Sequence, residues 1–82
     1  MKTNDISNIK TTDISNIIAK NIKILRKIND LTLSDISKIL DVSVQQVQKY
    51  ESNNSKISID KLMMLADYFK IDVTFFFKEF SY

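Results

Sequence analysis

The stretch TLSDISKILDVSVQQVQKYE, residues 32–51, decides the fold of this chain. Thr32 with Asp35 three positions on approximates a capping box, in which each side chain satisfies a backbone N–H left over at a helix start. Ile36, Ile39 and Leu40 follow as the apolar stripe of a short helix that ends by Leu40, and Asp41 stands where the chain must turn. Ser43 and Gln46 form a second capping box. The helix it opens turns Val47 and Tyr50 inward and is stopped by Asn53, Asn54 and Ser55. Two helices of about eight residues joined by a turn of about three or four are the minimal helix-turn-helix, whose first helix crosses phosphates and whose second enters the major groove.

Outward from this pair, Ile14, Ile17, Ile18, Ile22, Leu25 and Ile28 recur at helical spacing and predict a helix from Asp13 to near Asn29. A fourth helix begins behind Ser58 with Leu62, Leu65, Ala66 and Phe69 on one side. Asp72 caps a fifth containing Val73, Phe76, Phe77 and Phe80. The expected fold is all-α, a compact five-helix bundle over residues 13–82. Residues 1–12 read as a flexible arm, because their few apolar side chains cannot offset the entropy of ordering them. The echo of DISNIK at Asp5 in DISNII at Asp13 is two copies only, too few for a repeat architecture.

Composition removes most chemistry. The 82 residues contain no Gly, Pro, Cys or His, so there is no glycine-rich phosphate loop, thiol nucleophile, soft metal ligand or imidazole base. No enzyme, cofactor or metal site is expected; the carboxylates of Asp30 and Asp35 lie on polar surfaces without an apolar pocket to perturb them. No long apolar run marks a membrane segment or signal peptide, which points to the cytoplasm. Net charge is only +2, so its placement matters more than its size. Lys20, Lys23, Arg26 and Lys27 share an acid-free segment, which as readily describes an ordinary solvated face.

If Ile36, Leu40, Val42, Val47 and Tyr50 pack inward, the outer face of the third helix is left to Val44, Gln45, Gln48 and Lys49. Glutamine can make paired hydrogen bonds to adenine, lysine can donate to guanine, and valine can press on a thymine methyl. These four residues are the candidate base-reading surface.

The segments ILRKINDLTLSDISKIL, DVSVQQVQKYESNNSKIS and DKLMMLADYFKIDVTFFF together resemble the phage repressor and Cro-like regulators, the xenobiotic-response-element family, over roughly Ile18 to Phe77. VSVQQVQKYE and the later VTFFF are similar to an alphaproteobacterial branch of it. The resemblance implies a lambda repressor-like DNA-binding domain and a transcriptional regulator of the repressor type on double-stranded DNA. It places Val44, Gln45 and Lys49 at base edges with Gln48 beside them. Thr32, Ser43, Gln46, Asn54, Ser55 and Lys56 fall where phosphates are approached. It also implies an ion pair between Arg26 and Glu51, a role suited to the only arginine in a lysine-rich chain.

Departures from the family pattern are informative. Leu33 replaces a glutamine that contacts phosphate, Asp41 and Asn53 replace turn glycines, Ile57 replaces a proline and Ser37 a small alanine. Asp and Asn tolerate the left-handed backbone that such turns need.

The terminal aromatics Phe75, Phe76, Phe77, Phe80 and Tyr82 exceed what one side of so small a core can cover. Phe76 continues the buried stripe. Phe77 and Phe80 suit either burial or a dimer contact, with Tyr82 beside them. The family often dimerises through this helix, and a two-fold dimer implies a palindromic operator with half-sites about 34 Å apart. No small-molecule ligand site is expected. Two competing readings remain: an antitoxin-type regulator that also holds a protein partner, and an interaction module that keeps the fold without useful DNA affinity.

Overall fold

The computed structural model describes residues 11–80. Four α-helices follow in order: α1 Thr11–Ile28, α2 Leu33–Leu40, α3 Val44–Glu51 and α4 Ile59–Phe69. The fifth element expected from sequence is not an α-helix. Val73–Phe77 is a 3-10 helix of 5 residues, capped by Asp72 and closed by Phe75 N–H on the Asp72 carbonyl at 3.0 Å and Lys78 N–H on the Phe75 carbonyl at 3.3 Å. So short a segment gains little from α-helical bonding, and the tighter winding lets Phe76 enter the core while Phe75 packs against it.

The starts of α2, α3 and α4 each follow from a capping side chain. Thr32 and Asp35 form the reciprocal capping box, with Thr32 N–H donating to Asp35 Oδ2 at 2.8 Å and Asp35 N–H to Thr32 Oγ1 at 3.0 Å. At α3 only half of the expected box exists: Gln46 N–H donates to Ser43 Oγ at 3.0 Å, but the Gln46 side chain is turned elsewhere. Ser58 caps α4 in the same half-manner.

Without glycine, each of the four inter-element junctions puts an ordinary residue into the left-handed region: Asp30, Asp41, Asn53 and Lys70, at φ of 55 to 60°. The next N–H then reaches back to close the helix behind it. Leu31 donates to Arg26, Val42 to Ser37, Asn54 to Lys49 and Ile71 to Ala66, at 2.9 to 3.0 Å, the helix-ending bond that glycine usually permits.

The core joins Ile22 and Leu25 of α1, Ile36 and Leu40 of α2, Val47 and Tyr50 of α3, Leu62, Leu65 and Ala66 of α4, and Phe76. Burying one such side chain fully stabilises by roughly 1.5 to 3 kcal/mol, against about 1 kcal/mol for an N-cap. Packing therefore holds the elements together, and the caps set where they begin. Ser37 is buried at the α2 crossing and its hydroxyl donates to the Ser34 carbonyl at 2.7 Å.

The predicted α1 stripe is only partly right. α1 begins at Thr11, ahead of the Asp13 start expected, and residues 1–10 of the expected arm lie outside the described residues. Ile14 and Ile28 are 38% and 61% exposed. In their place Ala19 and Asn21 are buried. Asn21 Nδ2 donates to the carbonyls of Phe75, Phe76 and Lys78 at 3.3, 3.0 and 2.6 Å, tying the terminal aromatic segment to α1.

Candidate nucleic-acid interface

Helix α3 is held from one side only. Val47 and Tyr50 are buried, while Gln45, Gln48 and Lys49 are exposed and Val44 is half-buried on the opposite side. At 3.6 residues per turn these four share one face. It presents amide donors and acceptors, one ammonium group and one branched aliphatic group.

The helix is fixed against α1 by charge. Arg26 Nε donates to Glu51 Oε2 at 2.7 Å and Nη2 to Glu51 Oε1 at 3.0 Å, a two-pronged pair with side chains 12% and 7% exposed. The remaining guanidinium nitrogen, Nη1, donates to the Leu31 carbonyl at 3.0 Å, so one side chain joins α1, the α1–α2 turn and α3. Hydrogen bonding to Glu51 pushes the Arg26 pKa further up, against the opposing effect of burial, and keeps the group charged.

Residues 52–58 following α3 are braced from two directions. Asn54 and Ser55 N–H both reach the Lys49 carbonyl, at 2.9 and 3.2 Å. Gln46 Nε2 donates to Ser55 Oγ at 2.9 Å, so these two candidates for phosphate contact form one unit. Asn53 Nδ2 donates to Asn16 Oδ1 at 2.7 Å, and Lys56 Nζ to Ser15 Oγ at 3.2 Å, which fastens the loop to the first turns of α1. Sequence reading missed Ser15, Asn16 and Asn21. Only Asn21 left a signal, a polar residue set on an apolar stripe.

Thr32 and Ser43 sit at the starts of α2 and α3, each hydroxyl accepting an N–H and keeping its own proton for another acceptor. Their surroundings differ. The first turn of α2 carries Asp35, whose carboxyl the Thr32 N–H holds below the usual carboxylate range, whereas the first turn of α3 carries no acid. Leu33 packs against the core and offers nothing to a phosphate. Lys61 Nζ donates to the Leu40 carbonyl at 2.7 Å and so neutralises the carbonyl end of α2. Phe77 is 43% exposed, Phe80 rests on Phe75 with ring centroids 5.0 Å apart, and Tyr82 lies outside the described residues.

Residues 22–76 match the helix-turn-helix family as one continuous segment, from Ile22 in α1 to the core residue Phe76. The chain belongs to that family. Helix-turn-helix proteins of this kind are DNA-binding transcriptional regulators, and the family is not one of enzymes. The chain is similar to two proteins named as uncharacterised HTH-type transcriptional regulators. The one from Rickettsia conorii is 33% identical over 61 residues, 74% of this chain and 49% of that protein. The one from Rickettsia prowazekii is 31% identical over 61 residues, 74% and 47% respectively. The antitoxin PezA of Streptococcus pneumoniae is 33% identical over 55 residues, 67% of this chain and 35% of the antitoxin. The helix-turn-helix chain thus spans at most about half the length of these curated relatives. In structure it is similar to a transcriptional regulator from Listeria innocua, with a TM-score of 0.71 and 29% identity, over 79% of this chain and 61% of that one. No described helix is long and apolar enough to cross a membrane.

Proposed function

We propose that this chain is a sequence-specific regulator of the repressor type, acting in the cytoplasm as a homodimer on a palindromic DNA site. The observation that carries the reading is the outward face of α3, with Val44, Gln45, Gln48 and Lys49 turned away from the core on a helix locked by the Arg26–Glu51 pair. A rigid helix presenting amides and one ammonium group suits the donor and acceptor pattern of a major groove.

Phosphates on either side are met by Ser43 and by the unit of Gln46, Asn54, Ser55 and Lys56. Ser43 is the stronger of the two helix-start contacts, because an anion approaching Thr32 also meets the ionised Asp35. Phe77, Phe80 and Tyr82 supply the dimer contact, which sets two α3 helices on successive turns of one groove face.

Fluorescence anisotropy with AT-rich duplexes at a series of salt concentrations tests the reading. Affinity should fall on a log–log plot by about one unit of slope per phosphate neutralised. Binding that ignores salt, or that ranks all duplexes equally, overturns it.

A second reading is favoured by the likeness to an antitoxin and by the exposed Ile59, Met63, Met64 and Tyr68 on α4. In it the same fold binds DNA and holds a protein partner on the α4 face. Substituting Met63 and Tyr68 by Glu would then release the partner without changing DNA affinity.

A further inference from the structure

The acid-free run of α1 keeps three exposed lysines, Lys20, Lys23 and Lys27, while its arginine is paired with Glu51. Lys20 and Lys27 are seven residues apart, two helical turns or about 10.5 Å, and so lie in one line with Ile24 between them and the exposed Ile28 alongside. The outward face of α4 carries Asp60 and Asp67 at the same spacing. Met63 and Met64 lie between the two acids, with Ile59 and Tyr68, each more than half exposed, flanking them on either side. Among the described residues none of these lysines and aspartates forms an ion pair within the chain. Lys61, the one cation of α4, is engaged by the Leu40 carbonyl. Within the chain α1 packs against α3 and the terminal segment, and α4 against α2 and that segment, so both stripes are left without a partner.

We propose that the basic stripe of α1 in one copy docks on the acidic stripe of α4 in the next, a head-to-tail contact separate from any two-fold dimer. The inference rests on the second reading above, in which the α4 face holds a protein, and names another copy as that protein. It needs neither the two-fold contact nor DNA binding. Each stripe is unsuited to pairing with itself, since lysine would meet lysine on α1 and aspartate would meet aspartate on α4. Against each other the two match in sign, in spacing and in the apolar groups between the charges. An exposed ion pair contributes little alone, so the charges set the register and the isoleucine and methionine side chains supply the affinity. A contact between two different patches is not closed by one pairing, and it therefore joins copies, or dimers, into larger assemblies.

The test uses charge reversal, because Lys20, Lys27, Asp60 and Asp67 are exposed and their exchange leaves the core untouched. In sedimentation equilibrium the wild type should grow past the mass of a dimer as its concentration rises, and less so as salt screens the charges. Lys20→Glu with Lys27→Glu, and separately Asp60→Lys with Asp67→Lys, should each weaken that growth at least about tenfold. Mixing the two variants should restore it, since every reversed stripe then meets its opposite. One chain carrying all four reversals should also recover it unaided, an outcome that non-specific charge effects do not produce. Asp60 and Lys27 sit at helix ends that favour their charge, so circular dichroism accompanies each variant. Lys20→Glu and Asp67→Lys alone repeat the comparison away from those ends. Growth unaltered by either reversal, or not recovered on mixing, overturns the proposal. So does a loss of affinity for a short duplex confined to the α1 variant, which would assign the lysines to phosphates. A wild type that never exceeds a dimer overturns it as well, and leaves the α4 face to a different protein, so the second reading survives.

Discussion

Arg26 and Glu51 stand 25 residues apart in sequence and are joined by two near-parallel hydrogen bonds, of 2.7 and 3.0 Å, that clamp α3 to α1. Both side chains are largely withdrawn from water, so removing one strands the other. Glu51→Ala is expected to destabilise the fold by about 3 to 5 kcal/mol. Replacing both by apolar residues of similar volume should recover much of that loss, because no charge is then left buried. Thermal unfolding of the single and double variants measures both effects, and an unaltered melting temperature for Glu51→Ala would contradict the structural role.

Base reading and phosphate contact separate by their response to DNA sequence. Gln45→Ala or Lys49→Ala should remove roughly 1 to 3 kcal/mol of discrimination between duplexes. Lys56→Ala should weaken binding to every duplex alike and reduce the salt slope by about 1. Anisotropy titrations on a matched and a scrambled site distinguish the two patterns, and an equal loss on both for Lys49→Ala counts against base reading.

Lys70 occupies the left-handed region at φ 55°, as Asp41 does at φ 56°. That conformation costs an ordinary side chain roughly 1 to 2 kcal/mol, while aspartate is enriched there because its short carboxylate can bond locally. Glycine removes the cost but loosens the unfolded chain by about 0.4 to 1 kcal/mol. Lys70→Gly should therefore stabilise by up to about 1 kcal/mol, and Asp41→Gly by clearly less. Urea denaturation at constant slope gives the comparison; equal gains at both positions would remove the distinction.

Asp35 and Asp72 link stability to pH. The N–H of Thr32 holds the Asp35 carboxyl below its ordinary range, and the N–H of Thr74 does the same for Asp72. A depressed folded-state pKa means that the contribution is complete above the unfolded-state value of about 3.9 and is lost as pH falls through the lower folded-state values. The variant carrying Asp35→Asn and Asp72→Asn should be less stable than the wild type at neutral pH. The two should converge as the solution is acidified below about pH 4. Parallel curves across that window would show that the carboxylates are not the source.

Much of the fold is legible because short side chains mark helix starts. Thr32, Ser43 and Ser58 announce α2, α3 and α4 at the residue, and Ile36, Leu40, Val47, Leu62 and Leu65 follow at core spacing. Periodicity fails where it has no information about neighbours. Ile28 continues the α1 stripe but is 61% exposed, and Val73–Phe77 is too short to display any period. Asn21 is opaque for a different reason, since the carbonyls it satisfies are 54 to 57 residues away. The outward face of α3 is readable by subtraction, once the inward residues are assigned. The link between Gln46 and Ser55 is not, because a capping box and a loop contact need the same residue type at the same place.

Ser15 and Asn16 lie upstream of Ile22, where the segment shared with the family begins, yet they hold Lys56 and Asn53 in the loop behind α3. Two proteins with identical residues from 22 to 76 could thus differ in how stiffly that loop is carried. Grip on a duplex, in such a pair, would be adjusted from outside the part of the molecule that touches it.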